Sequence, residues 1–357
     1  MKLELRRVTV ASPGARDARR SWAVRERLLL RLCDAQGAFG LGEASPLPGY
    51  SRDELAAVEA ALRGLSASRL QAALTPGSGT VGHELRLNVL STVAALLPEA
   101  LPAARMGIET AALDFLSRRA GVSAPAWLGA PDGAAVRLAA LIGAAAEPQL
   151  RARARGALDQ GYTHLKIKLG KAGSWREESA AVAALRQAVS PGVSLRVDAN
   201  GAWSASQLRD AWQVLQSCGL ELFEEPGELP EALLGELPLA LDESLQGLNA
   251  SQVVDRLRRQ RAQAVVLKPT ALGGLSHCFE LAKRARELGA GVVLSHCFEG
   301  ALAYRAVATL ALALPQGLAA GLAPHAALPA KSAASVVRSG TLHTWAEPGL
   351  GEPGAFE

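Results

Sequence analysis

Three acidic residues each end a short, mostly apolar run in the second half of the chain: Asp198 in RVDAN, Glu224 in FEEP and Asp242 in LDES. Successive acids are separated by about the length of one strand-and-helix unit. If each run is a parallel strand, the three carboxylates stand together at the carboxyl edge of the sheet. Neighbouring carboxylates do not all stay ionised without a cation, and oxygen ligands favour hard divalent ions. Because no Cys or His cluster joins them, the sequence predicts Mg²⁺ rather than zinc.

Lysines flank these acids on both sides along the chain. Lys166 and Lys168 lie in LKIKLG, and residues two apart in a strand point to the same face. Lys268 ends the run VVLK. If these runs are the second and sixth strands of an eight-stranded ring, the lysines face each other across its mouth. Nearby positive charge lowers the pKa of a lysine and makes it a usable base.

Each feature also has a plain structural explanation when taken alone. An acid after a strand is often the N-cap of the next helix. Paired lysines are often the solvated edge of a strand, and Lys268 alone would suit a salt bridge or a phosphate contact. Three acids in series between lysines favour the metal site. The set predicts removal of a proton alpha to a carboxylate, giving an enediolate whose charge the cation stabilises.

The first hundred residues read as an α+β region. Strand patterns cover residues 2–10 and 24–33, with a return strand toward Gly42. Ser51 followed by Glu54 predicts a capping box that opens a helix ending near Leu65. A loop is expected over 76–82 and a longer helix over 103–120.

The remainder of the chain alternates short strands with amphipathic helices. Strands are predicted at 136–142, 164–169, 194–198, 221–224, 239–242, 264–268 and 291–295, with a weak eighth near 317–321. Helices are predicted at 148–160, 175–189, 206–218, 251–261 and 275–288. This order predicts an α/β fold with a modified (β/α)8-type barrel over 104–324. Residues 1–103, joined by a tail at about 325–357, are expected to form an α+β capping domain.

Composition narrows the class of protein. The net charge is +4 over 357 residues, and no basic run supports a nucleic-acid or membrane partner. The four cysteines form no C-x-x-C pair, which is typical of a reducing compartment. Without a signal peptide or a long apolar stretch, we expect a cytoplasmic protein acting on a small molecule. The sequence leaves its oligomeric state open.

The ordered series K-x-K, D-A-N-G-A-W, F-E-E-P, D-E-S and L-K-P resembles the muconate-lactonising-enzyme subgroup of the enolase superfamily. The resemblance covers most of the chain and implies an enolase-like barrel. It implies that the three acids hold Mg²⁺, with Mn²⁺ as an alternative metal. It further implies that Lys168 abstracts the α-proton, Lys268 stabilises the enediolate from the opposite face, and Lys166 adds positive charge.

Three further stretches are similar to the o-succinylbenzoate synthases: PLPGYS, RMGIETAALDF and SHCFEGALA. They imply a lyase of menaquinone biosynthesis. Its reaction is the syn dehydration of 2-succinyl-6-hydroxy-2,4-cyclohexadiene-1-carboxylate, a small carboxylate, to 2-succinylbenzoate. PLPGYS would be the lid over the substrate. His296 stands where that family usually has a small residue or serine. The expected substrate contacts are Tyr50, Ser51, Asn200, Ser295 and Glu299.

Two other functions stay open. An N-acylamino acid racemase or dipeptide epimerase has the same fold and would use the same metal and both lysines, one on each face of the substrate. Racemisation of a succinylamino acid in deuterated water distinguishes it. The other is a non-catalytic barrel with a binding or structural role, which absence of Mg²⁺ binding by calorimetry would favour.

Overall fold

The N-terminal third forms a three-stranded antiparallel sheet covered by helices. It is seen in a computed structural model that describes residues 1–15, 20–75, 83–145, 148–170, 174–315, 317–326, 328 and 336–351. The strands are β1 (Lys2–Ala11), β2 (Val24–Cys33) and β3 (Phe39–Ala44), in that spatial order. The helices are α1 (Leu55–Arg63), α2 (Ala67–Ala73), α3 (His83–Ala94) and α4 (Pro102–Arg119).

The sheet packs closely on α4, which joins it to the rest of the molecule. Leu28, Leu30 and Leu32 alternate along β2 and are fully buried, as expected for one covered face of a sheet. On β3, a Cβ at Gly40 or Gly42 would collide with the backbone of α4. Glycine at these positions therefore allows the strand to lie directly against the helix.

Seven parallel strands form the main sheet, in the order β11-β10-β9-β8-β7-β6-β5. After α5 (Ala124–Leu128) and β4 (Ala135–Arg137), these strands are β5 (Ala139–Ala144), β6 (His164–Lys168), β7 (Ser194–Asp198), β8 (Leu220–Glu224), β9 (Leu239–Leu241), β10 (Ala264–Leu267) and β11 (Gly291–Leu294). The helices among and after them are α6 (Leu150–Asp159), α7 (Trp175–Ala188), α8 (Ala205–Leu215), α9 (Ala250–Gln260), α10 (Pro269–Leu272), α11 (Leu275–Glu287) and α12 (Ala301–Ala313). The predicted barrel is confirmed.

The eighth place in the ring is filled by two bridging residues. Ala320 pairs with Leu138 on one side, and Gly321 pairs with Ser295 on the other. The weak strand predicted near 317–321 thus closes the barrel through isolated bridges, without forming a regular strand in the part of it that is described. Glycines at 317 and 321 weaken strand formation here.

A cluster of apolar side chains packs inside the barrel below its mouth, beside the buried Arg196. They are Leu222, Ala240, Ala264, Val266 and Val293. The outer helices pack their apolar faces on the strands, and α8 and α9 begin with complete capping boxes at Ser204 and Asn249. A plugged interior confines any ligand to the carboxyl ends of the strands.

Most predicted elements agree with the structure to within about two residues, as expected for such boundaries. The predicted capping box at Ser51 is wrong. The helix begins three residues later with Glu54 as its N-cap, because the Ser51 hydroxyl accepts a hydrogen bond from the Leu47 amide at 2.8 Å. The predicted strand at 136–142 divides into β4 and β5. The loop predicted at 76–82 lies outside the described residues.

The C-terminal segment returns to the rest of the chain through a small sheet. Strands β12 (Val337–Arg338) and β13 (Thr341–His343) extend from β4 as antiparallel neighbours. The division into a capping domain (1–103 and 325–357) and a barrel domain (104–324) stays a prediction. All four cysteines are free. Within the described ranges, none of the helices is long and apolar enough to cross a membrane.

Candidate active site

The three acids converge at the mouth of the barrel. Asp198 ends β7, Glu224 ends β8, and the two residues are direct partners in the parallel register. Asp242 follows β9, the next strand in the ring. One carboxylate oxygen from each lies within 4.8 Å of the other two, and all three side chains are buried. Parallel strands that end at the same height are what brings them together.

Lys166 and Lys168 approach this cluster from β6. Lys166 Nζ lies 2.5 and 2.7 Å from the two Glu224 oxygens and 2.8 Å from Asp198 Oδ2. Lys168 Nζ donates to Asp198 Oδ2 at 2.6 Å and to Asn200 Oδ1 at 3.0 Å. Burial opposes the charge of Lys166, but the two carboxylates outweigh it and raise its pKa. Burial favours neutral Asp198, yet Lys166 and Lys168 lower its pKa.

Lys268 approaches from the opposite side, directly after β10. Its ammonium group contacts Asp242 Oδ2 and donates to the Tyr50 hydroxyl at 2.8 Å. It also lies 5.0 Å from the centre of the Tyr50 ring, a distance suited to a cation–π contact. Burial opposes the charge of Lys268, but the Asp242 carboxylate raises its pKa well above the ordinary value.

Tyr50 connects this side of the cluster to the N-terminal region. Its hydroxyl donates to Asp242 Oδ1 at 3.3 Å while accepting from Lys268. Burial, followed by the charge of Asp242, raises the pKa of Tyr50 well above its ordinary value. The hydroxyl therefore stays protonated and can keep donating to the acid.

Two strained loop residues fix the loops behind the acids. Asn200 has φ +45° and Glu225 has φ +38°, a region that non-glycine residues rarely adopt. Asn200 bridges Lys168 to Glu243, donating to Glu243 Oε1 at 2.8 Å. Glu225 Oε1 accepts from the amides of Asp242 and Ser244 at 2.7 and 3.0 Å. Each strained residue thereby orients a neighbour of the cluster.

A pocket opens above the acids, with about 860 Å³ of space including its mouth. Its charged wall includes the three lysines together with Glu224 and Glu243, while Asp198 and Asp242 are buried and are not among the described residues that line it. Its other wall is mainly apolar and aromatic and includes Trp22, Leu47, Phe298 and His325. This second wall combines Trp22 and Leu47 from the N-terminal region with Phe298 and His325 from loops after the last barrel strands.

His296, which also lines the pocket, is a neutral imidazole. Burial, followed by the positive charges of His325 and Lys268, lowers the pKa of His296 to about 3. Its Nδ1 accepts from the Phe298 amide at 3.1 Å, which assigns the ring proton to Nε2. The ring also packs edge-on against Phe298, with centroids 5.4 Å apart. His296 therefore offers a neutral hydrogen-bond donor.

The structure separates the expected substrate contacts into two groups. Tyr50, Asn200 and Ser295 line the pocket. Ser51 bonds within its own loop, and Glu299 is fully buried with Oε2 accepting from the Cys297 amide at 2.7 Å. Neither Ser51 nor Glu299 is among the described residues that line the pocket.

Sequence reasoning missed several residues of this site. Residue spacing gave no signal for the aromatic and apolar wall, because Trp22, Leu47, Phe298 and His325 lie in four separate segments. Only the family resemblance pointed toward it, through PLPGYS, which contains Leu47, and SHCFEGALA, which contains Phe298. Glu225 and Glu243 did carry a signal, since each directly follows a proposed metal ligand in the sequence. Among the residues that the structure describes, the buried Glu243 Oε2 atom has no hydrogen-bond partner.

The residues present suit a hard divalent cation. The three acids supply only carboxylate oxygens, the ligand type preferred by Mg²⁺ and Mn²⁺. Burial, followed by the neighbouring Glu243 carboxylate, raises the pKa of Asp242. A cation held among these carboxylates would relieve that repulsion. The donor set therefore fits the predicted metal.

Comparison with known proteins gives one family and several relatives. Residues 149–353 match the family described as Enolase C-terminal domain-like. An o-succinylbenzoate synthase of Desulfotalea psychrophila is 31% identical over 360 aligned positions, which cover 89% of this chain and 91% of that protein. An L-Ala-D/L-Glu epimerase of Bacillus subtilis is 25% identical, with 87% and 84% covered.

A solved structure supports the fold. The chain superimposes on muconate lactonizing enzyme from Pseudomonas fluorescens, complexed with muconolactone, with a TM-score of 0.79. The superposition covers 98% of this chain and 95% of that one, at 23% sequence identity. At this identity the likeness concerns the architecture and leaves the reaction to be argued from the site.

Proposed function

The chain belongs to the enolase superfamily, and from that premise we propose that it is an Mg²⁺-dependent lyase. Its reaction would be the syn dehydration of 2-succinyl-6-hydroxy-2,4-cyclohexadiene-1-carboxylate to 2-succinylbenzoate. The observation that carries this proposal is the placement of Lys168 and Lys268 on opposite sides of three converging carboxylates. The 31% identical o-succinylbenzoate synthase supports this choice among the reactions of the superfamily.

Lys168 is the proposed base and then acid. As a free amine it takes the proton alpha to the substrate carboxylate, so that the C–H electron pair enters an enediolate. The resulting ammonium gives the same proton to the departing hydroxyl, the C–O bond breaks, and water leaves as the ring becomes aromatic. Contacts with Asp198 and Asn200 fix the Lys168 amine at the barrel mouth, where general acid–base catalysis needs it.

Lys268 and Lys166 are proposed to act through charge. Lys268 lies on the far side of the acids and would stabilise the dianionic enediolate from the opposite face. Lys166 contacts both Asp198 and Glu224 and would keep those two acids in place. Asp198, Glu224 and Asp242 would hold Mg²⁺, with Mn²⁺ as a substitute. When bound, the cation supplies electrostatic stabilisation of charge on the substrate carboxylate.

The opposite wall is proposed to select the substrate. Its apolar and aromatic members suit a six-membered carbon ring, and neutral His296 offers a hydrogen bond without the cost of a second buried charge. We propose Tyr50, Asn200 and Ser295 as direct contacts. We propose that Ser51 and Glu299 act by shaping the two loops that carry Tyr50 and His296.

The proposed setting is menaquinone biosynthesis in the cytoplasm. The test is an absorbance assay of the purified protein with the cyclohexadiene substrate and Mg²⁺, with the product identified by mass spectrometry. Formation of 2-succinylbenzoate in Mg²⁺ and its loss in chelator support the proposal. No turnover by a folded, Mg²⁺-binding protein would reject it, and failure to bind Mg²⁺ would favour the non-catalytic barrel.

A second candidate is the racemisation or epimerisation of an N-acylamino acid or a dipeptide. It is favoured by the second lysine, which could reprotonate the opposite face, and by the 25% identical epimerase. Exchange of the α-proton of a succinylamino acid in deuterated water, followed by NMR, tests it. A larger kcat/KM for exchange than for dehydration would make this the principal activity.

A further inference from the structure

Arg25 of β2 is a buried cation that bonds to two separate loops. The first is the lid loop, residues 45–51, and the second is the His296 loop, residues 295–300. Its Nη2 donates to the carbonyls of Ser45 and Pro46 at 3.2 and 3.4 Å. Its Nη1 donates to the carbonyls of Cys297 and Phe298 at 3.2 and 3.1 Å. One side chain thus spans the gap between the loops.

Burying the charged guanidinium of Arg25 costs free energy, so its hydrogen bonds to the loops must offset that cost. Arg25 is 1% exposed, and its four hydrogen bonds all go to neutral carbonyls. Burial lowers the pKa of Arg25, although the nearby Glu299 carboxylate opposes that effect. A planar guanidinium presents its donors in a rigid fork, so it fixes the relative position of its acceptors better than an ammonium would.

Both loops carry residues of the pocket. The lid loop supplies Leu47 and Tyr50, and Tyr50 reaches Lys268 and Asp242. The His296 loop supplies His296 and Phe298. A change in the distance between the two loops would therefore move the apolar and aromatic wall, which is proposed to select the substrate, relative to the charged wall.

Two other side chains, Trp22 and Glu43, also bond to these loops. Trp22 Nε1 donates to the Pro48 carbonyl of the lid loop at 2.9 Å. Glu43 Oε1 accepts from the Gly300 amide of the His296 loop at 2.5 Å and also from the Ser45 hydroxyl of the lid loop. Arg25 differs from Glu43 because it bonds to two backbone carbonyls in each loop, whereas Glu43 reaches the lid loop only through the Ser45 side chain.

We propose that Arg25 is a positioning residue that clamps the lid loop to the His296 loop and thereby sets the shape of the substrate-selecting wall. The clamp itself stands on the geometry above, and its effect on catalysis rests on the proposed function. A merely structural arginine would instead affect the stability of the whole molecule without a specific effect on these loops.

The test compares three variants of the full chain. Arg25→Met removes the fork at similar length, and Arg25→Lys keeps the charge with fewer fixed donors. Arg186→Met is the matched control. Arg186 donates to the carbonyls of Val193, Val189 and Ser190, away from the barrel mouth, and so resembles Arg25 in bonding but not in place.

Hydrogen exchange without substrate is the first measurement. The amides of Tyr50 and Ser51 bond to the Leu47 carbonyl, and those of Cys297 and Phe298 bond within the His296 loop. Arg25→Met should raise exchange at amides of both loops by at least about tenfold, and Arg25→Lys should raise it less. Arg186→Met should raise hydrogen exchange at the Val193 amide and leave exchange in the two loops as in wild type.

The second measurement is kinetics with the cyclohexadiene substrate. Arg25→Met should raise KM about 10- to 100-fold and change kcat by less than about threefold, with partial recovery in Arg25→Lys. The clamp is overturned if Arg25→Met leaves hydrogen exchange in both loops unchanged. It is also overturned if Arg25→Met raises exchange in the two loops no more than Arg186→Met does. If Arg25→Met does not fold, Arg25→Lys decides by the same criteria. A wild type inactive on this substrate rejects the proposed function, while exchange still decides the clamp.

Discussion

Lys168 and Lys268 face the same three acids from opposite sides of the barrel, but they are held by different parts of the molecule. Lys168 bonds to Asp198 and Asn200, both of which belong to β7 or the loop after it. Lys268 bonds to Asp242 from the barrel and to Tyr50 from the lid loop. The hydrogen-bond partners of Lys168 therefore all belong to the barrel, whereas one partner of Lys268 belongs to the N-terminal region.

This difference fits unequal roles. A base that removes and returns a proton needs a fixed position, which the barrel strands provide. A residue that only supplies charge tolerates a position that varies with the lid. If the two lysines shared the proton transfers equally, as in epimerisation, the dependence of one of them on the lid would affect both directions of the reaction.

Removing the metal should have the largest effect, because both sides converge on the same three acids. We expect chelator to abolish turnover and Mg²⁺ or Mn²⁺ to restore it. Asp242→Asn should weaken Mg²⁺ binding by at least about tenfold in calorimetry, since it removes a charged ligand. The variant should keep the melting temperature of the wild type to within a few degrees, because acids at the barrel mouth serve function more than stability. Full activity after extensive chelation would contradict the metal requirement.

Lys168→Ala tests the barrel side of the comparison. We expect dehydration to fall by at least about 10²- to 10⁴-fold, the usual contribution of general acid–base catalysis. Substrate loss followed by absorbance measures it. Lys283→Ala is a control, because Lys283 is an exposed lysine paired with Glu84 and lies outside the pocket. Wild-type dehydration in Lys168→Ala would reject the assigned base.

Tyr50→Ala tests the lid side. Loss of the ring and hydroxyl should raise KM about tenfold and lower kcat less, as expected when uniform binding is lost. Steady-state kinetics measure both constants, and Tyr50→Phe separates the hydroxyl bond to Lys268 from the ring contact. A KM equal to that of wild type in Tyr50→Ala would mean that the lid loop does not touch the substrate.

A smaller effect, on stability, is expected from the protonation of Glu109, a buried acid of α4. Glu109 of α4 accepts hydrogen bonds from Leu275 and Ser276 at the start of α11. A Cβ at Gly274, whose φ is +107°, would collide with Glu109, so glycine is required there. Burial raises the pKa of Glu109 from 4.5 to about 7, although bonds from Ser276 and Leu275 and the charge of Arg105 oppose that rise.

The sign of the pH dependence follows from that raised pKa. Between pH 4.5 and 7 the folded protein holds this proton more tightly than the unfolded chain does, so the stabilisation is full below pH 4.5 and is lost as pH rises through 7. The free energy of unfolding of wild type relative to Glu109→Gln should fall by about 3 kcal/mol between those conditions. Urea denaturation at several pH values measures it. A difference independent of pH would contradict the raised pKa.

The charged half of the site was predictable from residue spacing, whereas the selective half was indicated only by the resemblance of PLPGYS and SHCFEGALA to a known family. Acids and lysines recur at the ends of successive strands. Because parallel strands end at the same edge of the barrel, the fold brings these side chains together. Trp22, Phe298 and His325 show no such recurrence, and only the closure of loops brings them to one wall. Arg25 lies in the alternating strand VRERLLLRLC, where a polar residue would ordinarily face solvent.

Local patterns succeeded where they agreed with the tertiary structure. The strand ends carrying Asp198 and Glu224 were predicted to the residue, since apolar runs and turns mark them. The Ser51 capping box failed because the hydroxyl was drawn into the lid loop by the Leu47 amide. Ser51 and Glu299 each accept a hydrogen bond from an amide of their own loop, and neither is among the described residues that line the pocket.

The unequal roles of the two lysines are tested most directly by one matched pair, Lys168→Arg and Lys268→Arg, in the dehydration assay. Arginine keeps the charge but cannot act as a base near neutral pH. We expect Lys268→Arg to keep measurable dehydration and to lose α-proton exchange on a succinylamino acid, and Lys168→Arg to lose dehydration. Complete loss of dehydration in a folded Lys268→Arg variant, or retention in Lys168→Arg, would contradict the unequal roles.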